Sequence, residues 1–239
     1  MSNKPLAYDA YQKLAPHYAA KIDSKPHNAY YERPAMISMW PDLAGQNVLD
    51  AGCGPGVYAE ELLSRGAQVT SIDVSDEMLK CARHRLGPNA VLMQVDMTQP
   101  LDMFGERTFD VVNAPLCLDY IEDWAAVLSE FQRVLKPNGI LQFSCAHPMH
   151  DAEYFKTQCY FSVEQVECTW RGFGVDVVVP SFRRSFEEVI MAPLSCGFQI
   201  KRLVEPLPTE AFSQADPKRY KRLMHRPAFL CIQCVSTAK

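Results

Sequence analysis

Between residues 45 and 146, short apolar runs alternate with longer amphipathic segments, and no other feature of the sequence constrains the fold as strongly. Such alternation is typical of βαβ units, whose strands form a parallel sheet. It predicts helices at Val57–Arg65, Ser75–Arg85 and Trp124–Leu135. The predicted strands have the sequences NVLDAG, QVTSID, AVLMQVD, FDVVNA and ILQFSC. Because right-handed crossovers connect parallel strands, all five should end at one edge of the sheet.

The segments on either side of this region predict additions to one α/β domain. Residues 1–40 contain two short helical segments that meet at Pro16, and we expect them to form an N-terminal helical cap. Residues 41–239 form the main domain, which ends with the two predicted strands FQIKRLVE and AFLCIQCVS. Within it, residues 147–182 predict a hairpin around Gly172 that covers the substrate.

Composition excludes several classes of protein. The hydrophobic share of 48% and charged share of 22% are near globular averages, which argues against disorder and repeat arrays. No apolar run has the length of a membrane span and no leader pattern is visible, so we expect a cytoplasmic protein without a membrane partner. A net charge of −4 gives no general attraction to nucleic acid. Cys231 and Cys234 lie three apart in a predicted strand and face opposite ways, so we expect reduced thiols and no metal site.

A glycine-rich turn with the sequence AGCGPG follows the first predicted strand. The strand ends at Asp50, and Gly52, Gly54 and Gly56 leave a backbone that a ligand can approach closely, because no Cβ stands in the way. The dinucleotide fingerprint G-x-G-x-x-G needs its third glycine where this chain has Val57. The spacing therefore differs from that of nicotinamide-binding enzymes.

Two more acids end the next two predicted strands. Asp73 ends the second strand, where a carboxylate can accept both hydroxyl hydrogens of a ribose. Asp96 ends the third strand at the same edge. One such acid can simply cap a loop, but with Asp50 the three acids border a single crevice. We therefore expect a ribose-containing ligand there.

The segments VLDAGCGPG, SIDVS, VDM, FDVVNA and VLKPNGILQFS resemble, in this order, the motifs of the class I S-adenosylmethionine-dependent methyltransferases. The resemblance covers about residues 45–146. It implies an α/β fold with a seven-stranded, mostly parallel sheet, helices on both faces and an antiparallel last strand. It also implies in-line methyl transfer from S-adenosylmethionine to a small-molecule acceptor, with S-adenosylhomocysteine as product. We expect a monomer or a homodimer.

The same resemblance implies which residues contact the cofactor. The glycine turn and its acid would hold the methionine end. Asp73 would accept the ribose hydroxyls, and Val74 would pack on the adenine. Asp96 would accept from the adenine amino group beside the Met97 amide, and Asn113 would lie near the sulfonium.

Tyr11 and Tyr18 share one face of the predicted cap. They either form a lid over the cofactor, as N-terminal helices do in similar enzymes, or pack as an ordinary amphipathic face.

The residues around the acceptor leave alternatives open. His147 follows the fifth predicted strand and is the best candidate for a general base, ahead of His150. The alternative is that His147 is a loop histidine held by hydrogen bonds and takes no part in the reaction. Asp119 either faces the acceptor or packs the turn. The segment NAPL after the fourth strand keeps the Asn and one Pro of the Asn/Asp-Pro-Pro-aromatic motif but lacks its aromatic residue, which disfavours planar nitrogen acceptors.

Three other functions remain as alternatives. The basic run DPKRYKRLMHRP, residues 216–227, favours an RNA methyltransferase, although a solvated surface explains it as well and the net charge opposes it. A non-catalytic S-adenosylmethionine-binding protein would have the same cofactor residues. A nicotinamide oxidoreductase is disfavoured by Val57 and by the two closing strands.

Overall fold

The structure is a computed structural model that describes residues 4–237. The first three residues of the predicted cap and the last two of the main domain lie outside the described residues. Nine strands occur in the described part: β1 (Asn47–Ala51), β2 (Gln68–Asp73), β3 (Val91–Gln94), β4 (Phe109–Pro115), β5 (Leu135–Ala146), β6 (Glu164–Trp170), β7 (Val177–Arg183), β8 (Phe198–Val204) and β9 (Phe229–Ser236).

Seven of these strands form one sheet in the order β3–β2–β1–β4–β5–β9–β8. Strands β1 to β5 are parallel, and β9 lies antiparallel between β5 and β8. Strands β6 and β7 pair as a separate antiparallel hairpin. The predicted seven-stranded, mostly parallel sheet with an antiparallel last strand is therefore confirmed, and so is the hairpin.

The helices between the core strands begin and end within one residue of the predicted positions. Ser75 caps one of them, since its hydroxyl accepts a hydrogen bond from the Met78 amide at 3.1 Å. The helical elements are α1 (Tyr8–Ala19), a π-helical turn (Asn28–Glu32), α2 (Arg33–Ser38), α3 (Val57–Ser64), α4 (Asp76–Leu86), a 3₁₀ turn (Leu118–Tyr120), α5 (Trp124–Val134), α6 (Pro148–Tyr154), α7 (Phe186–Ser195), α8 (Glu210–Ala215) and α9 (Pro217–Leu223).

Helices cover both faces of the sheet and leave the carboxyl ends of the strands as the place for a site. On one face, Trp124 and Phe131 of α5 are buried in a cluster with Phe143 of β5. On the other face, Leu62 of α3 is buried with Val111 of β4. Burial on both faces is the usual condition of a parallel sheet, and ligands then bind beyond the strand ends.

Helix α1 runs through Pro16, so the prediction of two helices meeting at this residue is wrong. Pro16 lies near the end of the helix, where its missing N–H removes a single intrahelical hydrogen bond. Leu14 and Ala15, which directly precede it, are fully buried. Packing on this face outweighs the local preference of proline.

The sequence KPNG predicts a turn at residues 136–139, because Pro137 cannot continue a helix and Asn138 and Gly139 favour a turn. In the structure these residues lie within β5. Leu135 pairs with Phe109, and the register then shifts so that Ile140 pairs with Val111. β5 thus carries extra residues between Leu135 and Ile140, and one of them, Asn138, has a φ of 61°. The chain therefore turns as predicted, but as a bulge inside a longer strand.

Within residues 4–237, no helix is long and apolar enough to cross a membrane. The same residues contain no group of three or more His, Cys, Asp or Glu side chains that could hold a metal ion. Cys231 and Cys234 are both buried on β9.

Candidate active site

A cavity of about 680 Å³ lies beyond the carboxyl ends of the parallel strands. This volume is within the range of about 300–1,000 Å³ that is typical of ligand pockets. Its wall contains the residues that directly follow β1 to β4 and the last residue of β5, Ala146, together with parts of α1, α6, α9 and the β6–β7 hairpin. Since α1 and the hairpin pack against each other in one apolar cluster, they cover the strand ends.

The glycine turn is held against Asp73, and both lie in the cavity wall. The Gly54 and Ser75 amides each donate to one Asp73 oxygen at 2.8 Å. Burial raises the pKa of Asp73, and the amides that bond to it oppose this shift. Gly52 has a φ of +68°, and a Cβ there would lie 2.5 Å from the Cys117 Cβ. A Cβ on Gly54 would meet no atom within 4 Å, so the turn is open at that position.

Asp50 and Asn113 lie on neighbouring strands and do not line the cavity. The Asn113 amide donates to Asp50 Oδ1 at 2.9 Å, and Trp40 Nε1 donates to Asn113 Oδ1 at 3.2 Å. Asp50 Oδ2 is buried without a hydrogen-bond partner. Burial raises the pKa of Asp50 to about 7, against the Asn113 hydrogen bond. This carboxyl group therefore keeps an unused acceptor close to the turn.

Gly56, the last glycine of the turn, caps α3 rather than lining the cavity. Its φ of +82° favours glycine, and a Cβ there would lie 3.1 Å from Leu86 Cδ1. Its role is thus to end the turn and let α3 pack on α4.

The predicted adenine contacts follow one another along the same wall. Val74, Asp96 and Met97 all line the cavity. Asp96 Oδ1 accepts hydrogen bonds from the Thr98 amide at 3.0 Å and the Thr98 hydroxyl at 2.7 Å. These bonds fix the Asp96 side chain just beyond β3, which ends at Gln94, two residues earlier than predicted.

The tyrosines of α1 line the cavity and also pack, so the two alternatives for them are compatible. Tyr11 and Tyr120 share a hydroxyl–hydroxyl hydrogen bond of 2.6 Å. Tyr18 stacks on Phe173 of the hairpin with ring centroids 4.9 Å apart. Burial raises the pKa of Tyr11 and Tyr18, so both are neutral phenols.

Asp119 lies in the cavity wall on the 3₁₀ turn. Its Oδ2 accepts the Ala146 amide at 2.9 Å. Burial and then the charge of Asp151 raise the pKa of Asp119 to about 7, while the Ala146 amide and Arg184 oppose the shift. This carboxyl group can therefore exchange a proton near neutral pH.

His147 does not line the cavity. Its Nδ1 accepts the Met149 amide at 3.2 Å and caps α6, so Nε2 carries the proton and donates to Glu205 Oε1 at 2.8 Å. Neither nitrogen is free to act as a base, and this geometry favours the alternative of a hydrogen-bonded loop histidine. His150, ranked lower from the sequence, does line the cavity and stacks on Tyr154.

Comparisons with known proteins agree with this geometry. The family of methyltransferase domains matches residues 49–143. The chain is 27% identical to an uncharacterized protein of Haemophilus influenzae, in an alignment that covers 100% of both chains. It is 38% identical over 110 residues to the ubiquinone biosynthesis O-methyltransferase of Xanthomonas oryzae pv. oryzae, covering 45% of this chain and 46% of that protein. A structure from Listeria monocytogenes, provisionally described as an S-adenosylmethionine dependent methyltransferase, matches with a TM-score of 0.75 and 25% identity over 87% of this chain and 97% of that one.

The chain is a class I S-adenosylmethionine-dependent methyltransferase. Because the family match begins at residue 49 and ends at residue 143, it includes the glycine turn, strands β2 to β4 and most of β1 and β5. The methyltransferase binds S-adenosylmethionine, and the cavity has the features that this cofactor needs. Gly54 leaves the turn open, and Asp73 keeps acceptor positions beyond its two amides. Behind the turn, outside the cavity wall, Asp50 Oδ2 is buried without a partner.

The methyltransferase also contains a buried polar group around Glu32 that no sequence pattern indicates. Glu32 lines the cavity and is only 1% exposed. It accepts hydrogen bonds from the Tyr58 hydroxyl at 2.8 Å and the Ser144 hydroxyl at 2.6 Å. Burial raises the pKa of Glu32, against these two bonds. The three residues come from distant segments, so no spacing in the sequence could have revealed the group.

Proposed function

We propose that this methyltransferase methylates a small molecule that enters the cavity between α1, α6 and the hairpin. The supporting observation is that one covered cavity of about 680 Å³ is lined both by the glycine turn with Asp73 and by the proton-exchanging Asp119. A cofactor held at the turn would share this space with its acceptor. Residues 1–40 would then act as the lid and residues 147–182 as the cover of the acceptor.

The proposed cofactor contacts follow the strand ends. Gly52 and Gly54 would present bare backbone to the methionine end, with Asp50 and Asn113 supporting the turn from behind. Asp73 would accept the ribose hydroxyls with the acceptor positions that its two amides leave free.

The remaining contacts of the proposal surround the adenine and the sulfonium. Val74 would pack on the adenine, and Asp96 with the Met97 amide would bind its amino edge. Gly56 would act only through the helix that it caps. Tyr11 and Tyr18 would close the cavity over the cofactor.

In this proposal the protein acts mainly by alignment and exclusion of water. When bound, S-adenosylmethionine supplies an electrophilic methyl group on a sulfonium sulfur. Tyr11, Trp170 and Phe173 form an aromatic wall that keeps water out of the cavity. The cavity walls would hold the acceptor atom in line, which is the main contribution that a protein can make to a displacement of this kind.

Asp119 is the proposed general base. A hydroxyl acceptor is protonated at neutral pH, and a base with a pKa near the working pH removes such a proton most effectively. The Ala146 amide engages Asp119 Oδ2 and leaves Oδ1 for the acceptor. The Xanthomonas relative is named for O-methyl transfer, which supports a hydroxyl acceptor.

The experiment is a methyl-transfer assay with labelled S-adenosylmethionine and a cell extract separated into small molecules, protein and RNA. Label in the small-molecule fraction, lost in the Asp119→Asn variant, is the expected result. Label that enters only RNA would contradict the proposal and support the RNA methyltransferase. Binding of the cofactor with no labelling of any fraction would support the non-catalytic alternative.

A further inference from the structure

Three basic side chains at the mouth of the cavity are not used by the proposed reaction. Lys25, Arg219 and Arg222 all line the cavity, and we call them the basic rim. His27 lines the same cavity, and burial and then the charges of Arg219, Arg222 and Lys25 lower its pKa to about 4. His27 is therefore neutral at physiological pH, and the charge of this region comes from the basic rim itself.

Two members of the basic rim, Lys25 and Arg219, are held by polar contacts, but the positive charge of the rim is poorly neutralised. Lys25 Nζ donates to the Gly172 carbonyl at 3.0 Å, at the tip of the hairpin. Arg219 pairs with Asp216 at 2.9 Å. Among residues 4–237, the Arg222 side chain makes no ion pair or hydrogen bond. The three cationic side chains of the basic rim therefore have one acidic partner, Asp216.

The positive charge of the basic rim favours an anion at this part of the cavity. The adjacent wall is apolar and aromatic, with Phe173 under the Lys25 ammonium at 4.7 Å and Trp170 stacked on Phe173. The guanidinium fork of arginine matches the oxygens of a carboxylate or a phosphate, and a free fork is available at Arg222.

We infer that the basic rim binds the anionic oxyacid group, a carboxylate or a phosphate, of an acceptor whose apolar body lies against Trp170 and Phe173. The inference rests on the proposed function and narrows its substrate class. It also explains part of the basic run at residues 216–227, since Arg219 and Arg222 line the cavity whereas Lys221 does not.

The test is calorimetric binding of three probes to the protein saturated with S-adenosylhomocysteine. The probes are 3-phenylpropanoate, phenyl phosphate and the neutral 3-phenylpropanamide. We expect at least one anion to bind about tenfold or more tighter than the amide, as one charge-assisted hydrogen bond suggests. The tighter of the two anions identifies the oxyacid as carboxylate or phosphate.

Arg222→Gln should remove most of this preference. Lys221→Gln is the matched control, because it removes the same charge from the neighbouring position of α9 without touching the cavity. The inference is overturned if the amide binds as tightly as both anions, or if Arg222→Gln leaves the preference unchanged. It is also overturned if Arg222→Gln weakens binding of S-adenosylhomocysteine itself by a similar factor, since the basic rim would then serve the cofactor.

The two proposals can fail separately. Absence of methyl label in the small-molecule fraction counts against the proposed function, whereas absence of anion preference in a protein that binds S-adenosylhomocysteine counts against the basic rim.

Discussion

Replacement of Asp73 by alanine should weaken binding of S-adenosylhomocysteine at least tenfold, which corresponds to about 1.4 kcal/mol. Each Asp73 oxygen accepts one amide at 2.8 Å, and a carboxylate oxygen has room for a second donor. A hydrogen bond to a charged group contributes about 1.5–3 kcal/mol, so loss of one ribose bond alone accounts for the tenfold change. Loss of the Gly54 contact would loosen the turn and add to it.

Isothermal calorimetry of the wild type and the variant measures this change directly. Asp102→Ala is the charge-matched control, since Asp102 is exposed and does not line the cavity. Near-UV circular dichroism and thermal unfolding establish that the Asp73 variant is folded. An unchanged dissociation constant in a folded Asp73→Ala protein would show that Asp73 does not contact the cofactor.

The other predictions concern stability. Gly52→Ala should cost about 1–3 kcal/mol more in urea unfolding than Gly45→Ala, because both have positive φ but only the Gly52 Cβ would collide with Cys117; equal losses would show that the collision is relieved. In the folded state Asp119 keeps its proton between its ordinary pKa and about 7, so its contribution to stability falls as pH rises through that window. The stability of Asp119→Asn relative to the wild type should therefore increase as the pH is raised from about 5 to about 8. A difference that stays constant with pH would contradict the raised pKa. Tyr11→Phe removes the hydrogen bond between α1 and the 3₁₀ turn and should lower stability by about 1 kcal/mol in chemical denaturation, whereas no change would mean that packing alone holds the lid.

The sequence predicted the parallel core because its local signals agree with one another. Apolar runs mark the strands, Ser75 caps a helix, and the glycines appear where the backbone needs positive φ. Each of these signals lies within a few residues of the element that it specifies. The order of strand ends then places Asp73 and Asp96 on one edge without any knowledge of side-chain contacts.

The errors arose where packing between distant segments decides the outcome. Pro16 stays inside α1 because its neighbours are buried. The sequence places His147 ahead of His150 because it directly follows a strand, but the structure pairs His147 with Glu205, which is distant in the chain, and places only His150 in the cavity wall. The buried group around Glu32 and the basic rim likewise bring together residues that are far apart in the chain, so no local sequence motif could predict either of them.

The glycine turn and Asp73 should hold S-adenosylmethionine rather than a nicotinamide nucleotide. A calorimetric titration of the purified protein with S-adenosylmethionine, S-adenosylhomocysteine and NAD distinguishes the two kinds of ligand, after mass spectrometry has excluded a ligand carried through purification. We expect micromolar binding of the two adenosyl compounds and no binding of NAD. Binding of NAD with no response to either adenosyl compound would contradict this expectation.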